Sequence, residues 1–72
     1  MATSHLTWVN ELDQHGKPIG YDIYGEIVEN DGTILNVVEF SHDFDRSWGK
    51  LRYYIYEFKN VNVQFKSIVL GV

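Results

Sequence analysis

The dipeptide Asp31-Gly32 lies between two segments in which apolar side chains alternate along the chain, and this pattern predicts a β-hairpin. Asp-Gly favours a type I′ turn because glycine adopts positive φ freely and aspartate tolerates it. With these two residues at the centre of the turn, Ile23 lies opposite Phe40. A register shifted by one residue, with Ile23 opposite Glu39, agrees less well with the apolar pattern.

The predicted register divides the hairpin side chains between two faces. The face expected to form the core holds Tyr21, Ile23, Ile27, Ile34, Val38 and Phe40. The second face holds Tyr24, Glu26, Val28, Leu35, Val37 and Glu39. Gly25 lies in the middle of the first strand of the hairpin, where glycine marks a bulge or the close approach of another element.

A helical spacing follows the hairpin. Apolar residues recur at intervals of four, three, four and three positions, at Phe44, Trp48, Leu51, Ile55 and Phe58. This spacing places them on one face and predicts a helix over 44–58. Ser41 and Asp43 are suitable N-caps, and Asn60 can end the helix in a left-handed conformation. The alternative is a strand over 51–58, favoured by three closely spaced tyrosines.

Two further strands complete the expected fold. Apolar and polar residues alternate in Leu6–Leu12, where Asn10 is a polar interruption of the apolar face. They also alternate in Val61–Leu70, where a change of phase indicates a bulge near Ser67. We therefore expect a single α+β domain over 1–72, with residues 1–4 disordered. Its small antiparallel sheet of about four strands carries one helix on one face, in the order strand-strand-strand-helix-strand. The alternative is an all-β fold of five strands.

Aromatic side chains can supply the core of so small a chain, and self-association is the other common source of stability. The chain has 72 residues and no cysteine, whereas 15% of its residues are aromatic. Small domains without disulfides depend on such large side chains, and we expect Trp48 to be buried between helix and sheet. The sequence shows no signal peptide and no apolar stretch long enough to cross a bilayer, which favours a cytoplasmic protein.

No motif in the sequence indicates catalysis. The histidines His5, His15 and His42 are scattered, and Asp22 and Glu26 are separated by about 13 Å along a strand, too far to act as a pair. No glycine-rich phosphate loop is present. We therefore predict a protein that is not an enzyme and that uses no cofactor and no metal.

Charge is distributed unevenly along the chain. Residues 1–45 hold nine acids and one base, and residues 46–72 hold five bases and one acid. The acidic strand surface fits a basic partner by charge complementarity. Basic and aromatic residues alternate on the predicted helix, at Arg46, Lys50, Arg52, Tyr53, Tyr56 and Lys59.

These features predict a small, acidic, non-catalytic protein that binds and inhibits or modulates a larger macromolecular partner. Viruses and mobile elements encode inhibitors of this type against nucleic-acid-handling enzymes. The expected partner-binding residues are Asp22, Tyr24, Glu26, Val28, Leu35, Val37 and Glu39. The first alternative is a homo-oligomeric structural or regulatory subunit, such as a homodimer formed through this second face. The second is a weak nucleic-acid binder that uses the basic-aromatic helix, although the net charge of −4 disfavours nucleic acid.

Overall fold

The computed structural model describes residues 3–70 and contains one four-stranded sheet and one helix. The elements are β1 (His5–Leu12), β2 (Pro18–Val28), β3 (Ile34–Ser41), α1 (Phe44–Phe58) and β4 (Asn62–Val69). The spatial order of the strands is β3-β2-β1-β4, and the sheet is not closed. The predicted α+β class and the predicted order of elements are confirmed.

The sheet is mixed rather than purely antiparallel. β2 pairs with both β1 and β3 in antiparallel fashion, but β4 pairs with β1 in parallel. The reason is that α1 returns the chain to the end of the sheet at which β3 begins. β4 therefore runs in the same direction as β3 and β1. The expectation of an entirely antiparallel sheet was wrong for this one pair.

The hairpin register differs by one residue from the predicted register. Ile23 lies opposite Glu39, and Ile27 lies opposite Leu35. The turn explains the shift: Gly32 has a φ of 88°, but Asp31 does not have the positive φ that a type I′ turn requires. Instead Gly32 N donates to Glu29 O, and Glu29 N donates to Thr33 O. This is the longer hairpin in which a type I turn precedes a left-handed glycine.

Because side chains alternate across a strand, the shifted register exchanges the two faces of β3. Val37, expected on the second face, is buried under the helix at 3% exposure. Val38, expected in the core, is 86% exposed on the face without a helix. The predictions for β2 are confirmed, since Tyr21, Ile23 and Ile27 are all buried.

The helix has the predicted bounds. The Asp43 side chain caps its start by accepting a hydrogen bond from Asp45 N at 3.2 Å. The helix ends at Lys59 and Asn60, which both have a positive φ of 50°, and Lys59 N donates a hydrogen bond to Ile55 O.

The helix face that packs on the sheet differs from the predicted one. Ser47, Leu51 and Tyr54 are buried, with Phe58 partly buried beside them. Trp48 lies on the flank of this stripe and is 37% exposed, so its predicted burial between helix and sheet was wrong. The prediction used only apolar spacing, whereas the buried stripe includes one serine and one tyrosine whose polar atoms are hydrogen-bonded.

Trp8 of β1 takes the central position that the sequence pattern suggested for Trp48. Its ring is stacked on Tyr21 and makes edge contacts with Phe44, Trp48 and Phe65. Trp8 Nε1 donates a buried hydrogen bond of 3.0 Å to Ser47 Oγ. Both polar groups are thereby satisfied inside an otherwise apolar cluster.

Gly25 has a φ of 147° and lies against β1. A Cβ atom at this position would collide with the carbonyl oxygen of His5, so the predicted close approach of another element is confirmed. The expected bulge in β4 is not observed, because its register with β1 is regular from Asn62 to Val69.

Of the N-terminal residues 1–4, Met1 and Ala2 lie outside the described residues. Ser4 is buried, and its Oγ accepts a hydrogen bond from Val28 N at 2.8 Å. Ser4 O also accepts a hydrogen bond from Asn62 N, so this residue links β1 to β2 and β4.

Candidate partner-binding surface

The face of the sheet opposite α1 carries several exposed apolar side chains, and we call it the open face. The strand registers place on it Val9 and Glu11 of β1, Asp22, Tyr24 and Glu26 of β2, Ile34, Asn36, Val38 and Phe40 of β3, and Lys66 and Ile68 of β4. The other face carries the single helix of fifteen residues, which packs mainly on β2 and β3, and no described element packs on the open face.

The centre of the open face is apolar. Val9 is buried among its neighbours, and around it Tyr24, Val38 and Ile68 line a shallow depression of about 370 Å³. Phe40, at 52% exposure, lies at one side with its ring over Gly20. Exposed apolar side chains grouped in this way are typical of interaction sites, whereas isolated ones are not.

Carboxylates border the apolar centre. Glu11 and Asp22 lie on neighbouring strands close enough to interact, and the hydrogen bond with Asp22 is the main reason why the pKa of Glu11 is raised. Burial and the charge of Asp22 act in the same direction, and His42 opposes them. A cationic group brought by a partner would relieve the repulsion between these two carboxylates.

Four of the seven predicted site residues lie on the β2 part of the open face or at its end: Asp22, Tyr24, Glu26 and Val28. The other three, Leu35, Val37 and Glu39, lie on the helix side of β3, because the turn shifts the register by one residue. Their neighbours Val38 and Phe40 lie on the open face for the same reason and were not predicted there. Val9, Glu11 and Ile68 were not predicted either, because the alternation of side chains in β1 and β4 does not specify which strands are neighbours in the sheet.

Glu39 has a structural role on the helix side. It accepts a hydrogen bond of 2.7 Å from Tyr54 Oη, and its carboxylate is 3.6 Å from Lys50 Nζ. Burial, followed by the hydrogen bond to Glu39, raises the pKa of Tyr54 to about 12. These contacts attach α1 to the edge strand β3.

The basic and aromatic residues of α1 do not gather on one surface. Arg46, Lys50 and Tyr53 form one stripe, whereas Arg52 and Tyr56 lie roughly 120° away around the axis, given about 100° per residue. Lys50 is also engaged by Glu39. The helix therefore offers a nucleic acid one pair of cations, Arg46 and Lys50, and a separate single cation, Arg52.

Within residues 3–70 no group of three or more histidine and carboxylate side chains is arranged to hold a metal ion. In the same range no helix is long and apolar enough to cross a membrane. No protein-family model matches the chain, and comparisons with curated proteins and with solved structures find no match.

Proposed function

We propose that this chain is a non-catalytic binding protein whose open face docks on a larger protein and blocks or modulates it. The observation that carries the proposal is the exposure of Tyr24, Val38, Phe40 and Ile68 as one group beside the carboxylates of Glu11 and Asp22. An apolar centre with a polar border is the usual composition of a protein interface.

The chemistry of the open face defines the partner. Its apolar centre requires an apolar surface opposite it, and its carboxylates require lysine or arginine side chains at the border of that surface. The groove in which an enzyme holds a nucleic acid has both features, since it is basic and its walls carry apolar and aromatic groups. Occupation of such a groove by the open face would exclude the nucleic acid and so inhibit the enzyme.

The uneven charge supports the same orientation of binding. Glu11, Asp22 and Glu26 all lie on the open face, whereas Arg46, Arg52 and the other helix cations lie on the opposite side. The field of the molecule would steer the open face, rather than the helix, towards a basic partner.

The test is affinity capture from the native host with the wild-type protein and two variants, Val38→Ser and Asp22→Lys. The side chain of Val38 is almost fully exposed, so its replacement leaves the core intact. Tyr56→Ser is the matched control, because Tyr56 is 82% exposed on the far side of the molecule. Proteins that the wild type and the control retain, and that both open-face variants lose, are the partners.

The Kd for a purified partner should increase by about tenfold or more for each open-face variant, and the affinity should fall as salt rises. Retention of every partner by both open-face variants, with loss in Tyr56→Ser, would assign binding to the helix instead. Tight binding of the wild-type protein to nucleic acid from a deproteinised extract would also contradict the proposal.

A further inference from the structure

The two edges of the sheet are protected to different degrees. β4 carries Lys66 near its middle, and a lysine there opposes the pairing of a second strand. β3 has eight residues with no lysine and no proline, and it pairs with β2 without a register shift. Its one charged side chain, Glu39, is directed to the helix side and bound by Tyr54 and Lys50.

The hairpin hydrogen bonds show which backbone groups of β3 are free. Glu29 N donates to Thr33 O, so residues 29 and 33 form a hydrogen-bonded pair. Such pairs alternate with non-hydrogen-bonded pairs along an antiparallel ladder. The N–H and C=O groups of Leu35, Val37 and Glu39 are therefore directed to β2. Those of Ile34, Asn36, Val38 and Phe40 are directed away from the sheet.

The outward N–H and C=O groups of β3 can pair with the same groups of β3 in a second copy of the chain. In an antiparallel pairing with its two-fold axis at Val37, Ile34 lies opposite Phe40 of the second copy, and Asn36 lies opposite Val38. Every outward N–H and C=O of β3 then has a partner. Ile34 and Phe40 are both exposed on the open face, and pairs of an aromatic with a β-branched residue stabilise neighbouring strands.

We propose that β3 pairs with β3 of a second copy of this chain, joining two sheets into one continuous sheet. No like charges meet across the axis, because Glu39 is bound within its own copy. A two-fold arrangement is the commonest solution for a homodimer. The self-pairing does not depend on the proposed docking of a larger protein, since it uses backbone groups of the edge. It leaves both open faces accessible on one side of the joined sheet.

Amide hydrogen exchange tests this pairing directly. Between concentrations on the order of 10 µM and 1 mM, the amides of Leu35, Val37 and Glu39 should slow no more than the other core amides, which reflect the overall stability of the domain. The amides of Ile34, Asn36, Val38 and Phe40 should exchange at least about tenfold more slowly at the higher concentration. A dimer formed through the open face would leave these four amides unchanged and would overturn the proposal.

Proline substitutions provide the second test, by sedimentation. Asn36→Pro removes an outward N–H from β3 without removing a hydrogen bond to β2. Ser67→Pro is the matched control, because Asn62 N and Leu70 N both donate to the β1 side and the Ser67 amide therefore faces outward on β4.

The wild type and Ser67→Pro should reach twice the 8.4 kDa mass of the chain at the higher concentration, whereas folded Asn36→Pro should remain a monomer. A wild type that is monomeric at the higher concentration would overturn the proposal, as would a dimer that survives Asn36→Pro. If Asn36→Pro does not fold, hydrogen exchange of the wild type decides alone.

Discussion

Val37 and Val38 are neighbours of the same residue type, yet one is 3% exposed beneath the helix and the other is 86% exposed on the open face. The covered face and the open face of the sheet are both rich in apolar side chains. What separates them is the hairpin register, because one extra residue in the turn reverses the facing of the whole of β3. Apolar character alone therefore does not distinguish the core of this domain from its proposed interface.

The largest expected effect sets the two valines against each other. Val37→Asp places an unpaired carboxylate in the core and should cost about 4 kcal/mol or more, a large part of the stability of a small domain. Val38→Asp should change the free energy of unfolding by less than about 1 kcal/mol, because its carboxylate stays in water. Urea titration of the two variants measures the difference. Equal losses would show that the register of β3 is not the one described.

The two tryptophans give the next comparison. Trp8→Ala removes the ring at the centre of the aromatic cluster and leaves Ser47 without its hydrogen-bond donor, so we expect a loss of about 3–5 kcal/mol. Trp48→Ala removes a ring from the flank of the helix and should cost about 1–2 kcal/mol. Thermal unfolding at several protein concentrations separates this effect from any change in self-association. A larger loss of stability in Trp48→Ala than in Trp8→Ala would indicate that the helix packs through the face predicted from apolar spacing.

The third expectation concerns alkaline pH and the covered face. The folded pKa of Tyr54, about 12, lies above the ordinary tyrosine value of 10.0. Its contribution is therefore fully present below pH 10.0 and is lost as pH rises towards 12. The loss should be on the order of 2 kcal/mol and should be absent in Tyr54→Phe. Parallel pH dependence in the two proteins would assign the alkaline unfolding to other groups.

The smallest effect belongs to the open face. The raised pKa of Glu11 means that its protonated form is favoured in the folded state, so its contribution falls as pH rises above the ordinary carboxyl range. Glu11→Gln should therefore stabilise the domain near pH 7 by a few tenths of a kcal/mol, a small value because solvent screens the pair. Glu26→Gln is the control, because Glu26 lies on the same face of the sheet as Glu11 but towards the other end of β2. A loss of stability in Glu11→Gln would contradict the interaction with Asp22.

Much of the fold followed from local patterns in the sequence. The helix bounds, the four strands and the close approach at Gly25 all rest on interactions between nearby residues or on the steric needs of one residue. The parallel pairing of β1 with β4 was missed because it joins the two ends of the chain, and no local pattern encodes it. The hairpin register failed for a different reason: Asp-Gly suits more than one turn, and the longer turn changes the facing of every residue in β3.

The candidate site was half predicted, and the division falls at the turn. Asp22, Tyr24 and Glu26 precede it and were assigned to the correct face, whereas Val37 and Glu39 follow it and were not. The acidic border formed by Glu11 and Asp22 needed the pairing of β1 with β2, which the sequence did not specify. The buried face of the helix differs from the predicted one because it includes Ser47 and Tyr54. Their polar atoms are hydrogen-bonded to Trp8 and Glu39, and apolar spacing does not reveal these partners.

The parallel pairing of β1 and β4 also has a mechanical consequence. The first strand enters the sheet at the end where His5 lies beside Asn62, and the last strand leaves at the opposite end, where Leu12 lies beside Val69. Tension applied to the segments that flank these two strands pulls them past each other along their length. The whole ladder between them carries the load at once, whereas the hairpin of β2 and β3 would open one rung at a time if it were pulled from its ends. We therefore expect the parallel pairing of β1 with β4 to make this small domain resistant to stretching.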